Sequence, residues 1–373
     1  MSEQAWKAAL YLENDHLFLG RGFGAQAMQG GEAVFNTGMM GYQEVFSDPS
    51  YSHQIVVMTY PQIGNYGIQA ADSESPTPLL KGVVAREYFS RPSSWRSEMS
   101  LGRYLDAAGV PGISEVDTRR ITQVLRDEGA QRGIIFPIDS EDETKIRLRG
   151  RELLKQVPVM EGLDLVSQVS CKKSWEFDEA LNQKRNVQGT IVVYDYGVKW
   201  NILRSLSSRN FRVRVVPYNT PAQDILAERP LAVCLSNGPG DPAQVPHAVQ
   251  EIQNLLGKVP VLAICMGHQL LARALGGETF KLKYGHHGVN HPVKELSSGR
   301  IMITSQNHGF AVKTDSLPAR EVSVNLVNLN DQTCEGFLSE NMRTMSIQFH
   351  PEAKPGPSDA DFLFDQFIKG FVL

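Results

Sequence analysis

From about residue 190 onward the chain alternates short, continuous apolar runs with amphipathic stretches, and this rhythm constrains the fold more than any other feature. Residues 190–194, 211–216, 231–235 and 259–264 read as strands, and residues 198–208, 221–228 and 247–256 as helices. Strands that are apolar on both sides, with helices between them, imply a parallel sheet covered on both faces. Further β segments are expected near 301–304, 322–329 and 343–349, closed by an amphipathic helix over 359–371. The expected architecture is α/β, with a doubly wound, mostly parallel sheet. In such sheets ligands gather at the carboxyl ends of the strands.

Residues 1–150 have another texture. Turn glycines separate short β segments at 8–12, 17–19, 54–59 and 82–85, and helices are expected at 100–108 and 117–128, the second capped by Asp117. This predicts a smaller α+β N-terminal domain over 1–150, a polar connecting segment over 151–188, and the α/β domain over 189–373. A chain of 373 residues suits two domains. A net charge of −4 gives no footprint for nucleic acid or an anionic membrane, and no apolar run is long enough to span a bilayer. The amino terminus lacks the apolar core of a signal peptide. Cys171, Cys234, Cys265 and Cys334 are scattered without a C-x-x-C pair, so a reducing, cytoplasmic setting fits better than a disulfide framework or a zinc site.

Cys265 falls where the apolar run 259–264 enters the helical stretch 266–275. A side chain on such a turn is pushed out of the sheet toward unpaired helix N-terminal amides, whose dipole favours a thiolate. Small neighbours, Ala263 and Gly267, permit the tight turn. A buried structural cysteine is the competing reading. A thiolate nucleophile needs a base and a group to orient it. His350-Pro-Glu352 follows an apolar run near the C-terminus and supplies both residue types. The loop Ser236-Asn-Gly238-Pro-Gly240-Asp-Pro can present bare amides, with Gly240 and Met266 as oxyanion donors, although glycine–proline clusters are more often plain turns. Gln269 is placed four residues after Cys265 on the same helix face, where an exposed glutamine and a substrate contact are equally good readings.

Ala263-Ile-Cys265-Met-Gly-His-Gln269 together with Phe349-His350-Pro-Glu352 resembles the class I glutamine amidotransferases, which split glutamine with a Cys-His-Glu triad. The resemblance extends to the small-subunit family of carbamoyl phosphate synthetases. It is carried by Val34-Phe-Asn-Thr-Gly-Met-Met-Gly-Tyr-Gln-Glu44, Asp48-Pro-Ser50-Tyr, Tyr60-Pro-Gln-Ile-Gly-Asn65 and Glu115-Val-Asp-Thr-Arg119 in the first half. In the second half it rests on residues 235–242, Gly285-His-His-Gly-Val-Asn-His-Pro292 and Gln306-Asn-His-Gly-Phe310. It implies Cys265, His350 and Glu352 as the triad, and Ser50, Gly238, Gly240, Met266, Gln269, Asn307, Gly309 and Phe310 as glutamine contacts. Ser50 would bring the N-terminal domain into the glutaminase site. The resemblance further implies a large synthetase subunit as partner, receiving ammonia and holding ATP and magnesium, with no cofactor in this chain. Ala263 stands where the family usually carries glycine; alanine is small enough for the turn.

Other motifs carry less. Gly20-Arg-Gly-Phe-Gly-Ala25 matches a dinucleotide fingerprint only formally, because residues 26–31 are polar and glycine-rich rather than helical. His286, His287 and His291 suggest a metal, but Gly288 and Pro292 disfavour helical presentation and no metal is expected. Two alternative functions remain open at this level: a catalytically silent assembly subunit, and a stand-alone γ-glutamyl hydrolase.

Overall fold

The computed structural model describes residues 6–177 and 187–373. Two compact units result: Met1–Glu161 with Lys283–His287, and Gly162–Leu282 with Gly288–Leu373. The segment 151–188, expected as a connector, is shared out between them. The helix Glu143–Leu154 belongs to the first unit, and Val166–Val169 and Trp175–Phe177 to the second.

Among the described residues of the first unit, seven strands close into a barrel. Its order around the wall is Trp6–Leu12, Leu17–Gly24, Pro111–Ser114, Gly82–Val84, Gln54–Met58, Gln29–Asn36 and Gln131–Pro137, returning to the first. The last of these pairs with Trp6–Leu12 in antiparallel register, Leu10 opposite Ile135. Closure removes the exposed edges that short strands leave in an open sheet. Leu10, Ala33, Ile55, Val84, Ile113 and Ile135 pack together with Ile121 and Leu125 of the helix Thr118–Glu128. Asp117 caps that helix by accepting from the Arg120 amide at 2.9 Å, as its sequence position predicts. The α+β expectation for residues 1–150 missed the closure, because strands such as Gln29–Asn36 and Pro111–Ser114 carry too many glycines and prolines to show alternation. The formal dinucleotide fingerprint is absorbed by the strand Leu17–Gly24.

The second unit is built on a ten-stranded sheet, among the described residues. Its parallel centre runs Phe211–Pro217, Gly189–Asp195, Ala232–Leu235, Val261–Ile264 and Thr344–Ile347. Val193, Val233, Val261 and Ile264 are fully buried, as strands covered on both faces must be. The helices Trp200–Ser208, Ala222–Ala227, Pro246–Leu255 and Met266–Ala274 connect them. Beyond Thr344–Ile347 the sheet turns antiparallel through Cys334–Ser339 and Ser323–Asn328. The closing helix spans Phe362–Phe367 and widens into a looser turn through Val372. The chain leaves Gly189–Asp195 to one side for Phe211–Pro217 and returns to the other for Ala232–Leu235. The sheet order therefore switches direction there, which opens a crevice at the carboxyl ends.

Candidate active site

Three of those carboxyl ends supply the side chains of interest. Cys265 ends the strand Val261–Ile264 and precedes the helix Met266–Ala274, with φ 54° and ψ −105°. This is a conformation that a non-glycine residue holds only when its surroundings enforce it. The surroundings do so. The Cys265 amide donates to the Ile347 carbonyl at 2.8 Å, and the Gly267 amide to the Ser236 carbonyl at 2.9 Å. A Cβ on Gly267 would stand 2.3 Å from the Leu235 carbonyl oxygen, so glycine is required for the close approach. Cys265 is buried, and its thiol donates to the Asn307 carbonyl at 3.6 Å. The first-turn amides of the helix behind it, Met266 among them, have no partner inside the helix.

The neighbouring strand, Thr344–Ile347, carries Ile347 opposite Ile264 in parallel register, so the segment leading to His350 starts level with the elbow. His350 is buried, and its Nδ1 lies 2.7 Å from Glu352 Oε1. The imidazole Nε2 is buried with no hydrogen-bond partner among the described residues. A carboxylate on Nδ1 makes that nitrogen the donor and leaves Nε2 as a basic lone pair.

Sequence reasoning missed the third participant. Lys199 is 1% exposed, its Nζ lies 3.1 Å from Glu352 Oε1, and it donates to the Ala353 carbonyl at 2.8 Å. Burial alone would push the Glu352 carboxyl up. The Lys199 charge, with the charge and hydrogen bond of His350, outweighs burial and holds the group at about 2. The available signal was positional: Lys199 lies just beyond the carboxyl end of Gly189–Asp195, beside the switch point. Its own amide donates to Asn237 Oδ1 at 2.9 Å, tying this loop to the Ser236–Asp241 loop.

The remaining expected residues are placed as follows. Gly238 has its Cα against the Tyr196 carbonyl, since a Cβ there would meet that oxygen at 2.1 Å, and Gly240 holds φ 91°. Gln269 is buried rather than exposed. Its Nε2 donates to the Phe310 carbonyl at 2.8 Å and to Gln348 Oε1 at 3.1 Å. Asn307, Gly309 and Phe310 fall in the strand Ile301–Val312, with Lys281 Nζ 5.5 Å from the Phe310 ring centre. Ser50 is buried in the short helical turn Pro49–Tyr51 of the barrel unit, its amide accepted by Asp48. His286, His287 and His291 lie on the strand Thr279–Glu295. None of the four cysteines is in a disulfide, and no described helix is long and apolar enough to cross a membrane.

A buried cysteine on a strained strand-to-helix turn, beside a histidine–carboxylate pair in a doubly wound sheet, marks a class. Residues 192–370 match the family model of glutamine amidotransferase class-I. Residues 10–135 match that of the carbamoyl-phosphate synthase small chain, CPSase domain. The chain is 47% identical over 364 residues to the carbamoyl phosphate synthase small chain of Listeria innocua, covering 97% of this chain and 96% of that one. It is 46% identical to the carbamoyl phosphate synthase pyrimidine-specific small chain of Bacillus subtilis, covering 97% and 95%. The chloroplastic small chain of Oryza sativa is 44% identical, covering 98% and 83%. The chain belongs to the carbamoyl phosphate synthase small chain family.

Proposed function

We propose that this chain hydrolyses glutamine and hands the ammonia to a large synthetase chain, which makes carbamoyl phosphate from it with bicarbonate and ATP. The observation that carries the chemistry is the His350–Glu352 pair: a 2.7 Å contact at Nδ1, a buried unpartnered Nε2, and a start in the strand beside the elbow. Cys265 gives its proton to His350 Nε2, and the thiolate attacks the glutamine side-chain amide. Backbone amides of Met266 and Gly240 hold the oxyanion. His350 then donates the proton to the departing nitrogen, ammonia leaves, and a γ-glutamyl thioester remains. Water, deprotonated by His350, adds to the thioester, and glutamate departs as the Cys265 sulfur is regained. Glu352 keeps the ring in the required tautomer and stabilises the imidazolium. Asn307, Gly309, Phe310, Gly238 and Gln269 line the substrate's path.

An enclosed passage to the partner suits this product, since ammonia released into water is protonated and loses the lone pair that the next reaction needs. ATP and magnesium serve the partner in this reading, and the setting is a reducing cytoplasm. The test is Cys265→Ser in the chain assembled with its large partner. Glutamine-dependent synthesis should vanish while synthesis from ammonium salt persists. Loss of both, or retention of both, overturns the assignment.

A further inference from the structure

Behind the segment that faces Cys265 runs a chain of buried polar side chains that the hydrolysis scheme leaves unused. Glu335, on the strand Cys334–Ser339, is fully buried. Its Oε1 accepts from Gln306 Nε2 at 2.9 Å and from Asn328 Nδ2 at 2.7 Å. Gln306 Nε2 also reaches Thr304 Oγ1 at 3.2 Å, so the amide group of Gln306 is fixed with its Oε1 turned the other way. That oxygen meets His308 Nε2 at 2.9 Å, and His308 Nδ1 meets the Phe310 carbonyl at 2.7 Å. Both facing atoms are acceptors, so a proton on either ring nitrogen points at one of them. The same Phe310 carbonyl receives Gln269, and the Asn307 carbonyl receives the Cys265 thiol. A second tie runs through the main chain: the Gln348 amide donates to the Glu335 carbonyl at 2.8 Å, two residues before His350.

We infer that Glu335 is a positioning residue for glutamine binding, acting as the fixed acceptor that sets Gln306, through it His308, and so the Asn307–Phe310 segment. Its carboxylate accepts from the amides of Gln306 and Asn328, and its contribution is the orientation of the first of these. If Glu335 were absent, Gln306 would be free to turn its amide, and its oxygen would no longer be held toward His308. The segment that meets the nucleophile and Gln269 would lose its register, and bound glutamine would lose the geometry of its contacts. Because the Asn307–Phe310 segment is set before any bond changes, the loss falls on binding rather than on the chemical step.

This inference rests on the glutaminase reading above, and the test separates the two. Wild type, Glu335→Ala, Glu335→Gln and Gln306→Ala are compared as full-length chains by steady-state glutamine hydrolysis, with circular dichroism and urea unfolding alongside. A wild-type chain that turns over no glutamine, alone or with its partner, refutes the glutaminase reading itself. With wild type active, Glu335→Ala should raise KM for glutamine by about tenfold or more while kcat changes less than about threefold, the scale of one buried polar network left unpaired. Glu335→Gln retains an acceptor oxygen for both Gln306 and Asn328, and should restore KM to within about twofold of wild type. Should Glu335→Ala fail to fold, Gln306→Ala cuts the same relay while leaving Glu335 its contact to Asn328, and should show the same rise in KM. An unchanged KM in the variants that fold, a loss confined to kcat, or a Glu335→Gln as impaired as Glu335→Ala would overturn the inference.

Discussion

Removing the positive charge at Lys199 is the sharpest test of how this site holds its carboxylate. In Lys199→Met the cation 3.1 Å from Glu352 Oε1 is lost while the volume is nearly kept, and both side chains lie out of solvent. At that separation and an effective dielectric of about 20, the lost attraction is ~5 kcal/mol. Burial then acts on Glu352 with only His350 and a backbone hydrogen bond to oppose it, so the carboxyl is driven upward from about 2. Breaking a buried pair from one side typically costs about 3–5 kcal/mol, because the surviving charge is left uncompensated.

The sign with pH follows. In wild type the carboxyl sits below its ordinary 4.5, so its contribution to stability is present above pH 4.5 and is lost as pH falls toward 2. In the variant the ionised carboxylate opposes folding at neutral pH, and the penalty fades once the group takes up a proton. The stability gap between the two proteins should therefore be about 3 kcal/mol at pH 7 and should narrow on acidification. It is measured by urea unfolding at pH 7 and pH 5. Glutaminase activity should also fall more steeply between pH 7 and pH 5 in the variant than in wild type, because a protonated Glu352 no longer stabilises the imidazolium. Superimposable profiles and equal unfolding midpoints at both pH values would refute the reasoning.

Three further variants probe the elbow and the core beneath it. Gly267→Ala drives a methyl group to 2.3 Å from the Leu235 carbonyl, a backbone atom, and should lower stability by about 2–3 kcal/mol with loss of glutaminase activity. Gly309→Ala, where a Cβ meets nothing within 4 Å, should leave the unfolding midpoint unchanged; equal effects of the two alanines would refute the packing argument. His268, buried against Ser346 Oγ at 2.9 Å, is pushed by burial down to about 3 from 6.5. The unfolded chain therefore binds an extra proton as pH drops below 6.5, and wild type should lose up to about 1.4 kcal/mol per pH unit from this residue alone between pH 6.5 and 3. His268→Asn should flatten that slope in urea unfolding measured from pH 7 to 5, and an unaltered slope would show that the ring is already charged in the folded protein.

Much of the second unit was legible because strands covered on both faces must be continuously apolar. Ala232–Leu235 and Val261–Ile264 show that composition throughout, whereas Phe211–Pro217, nearer the sheet edge, carries Arg212 and Arg214. Cys265 and His350 were legible for a related reason: each is a reactive residue directly beyond such a run. The barrel was not legible. Its strands pair mainly across long sequence distances, as Trp6–Leu12 does with Gln131–Pro137, and glycines such as Gly30, Gly31 and Gly112 break the period-two signal. Lys199 was hidden by its residue type, since a lone lysine in a loop is normally solvated. Only the register of three strands shows that this one is enclosed. Gln269 stayed open between two readings. Helical spacing gives its face but cannot distinguish a face turned to solvent from one turned toward the Phe310 carbonyl.

The backbone at Cys265 explains why these parts must arrive together. A non-glycine residue at φ 54° and ψ −105° costs roughly 1–3 kcal/mol, and nothing in the local sequence repays it. The ties that hold it come from three other segments. The Ile347 carbonyl accepts the Cys265 amide, the Ser236 carbonyl accepts the Gly267 amide, and the Asn307 carbonyl accepts the thiol. Each tie originates in a segment that also carries a functional group: Thr344–Ile347 leads to His350, Ser236 opens the loop of Gly238 and Gly240, and Asn307 begins the expected glutamine contacts. The strain at Cys265 is thus sustained by the same strands and loops that position His350 and the amides of the Ser236–Asp241 loop. A change that relaxes the elbow, such as one that lets Gly267 move away from Ser236, should also misplace those groups. Loss of activity should therefore precede loss of folding along any series of variants that loosens this turn.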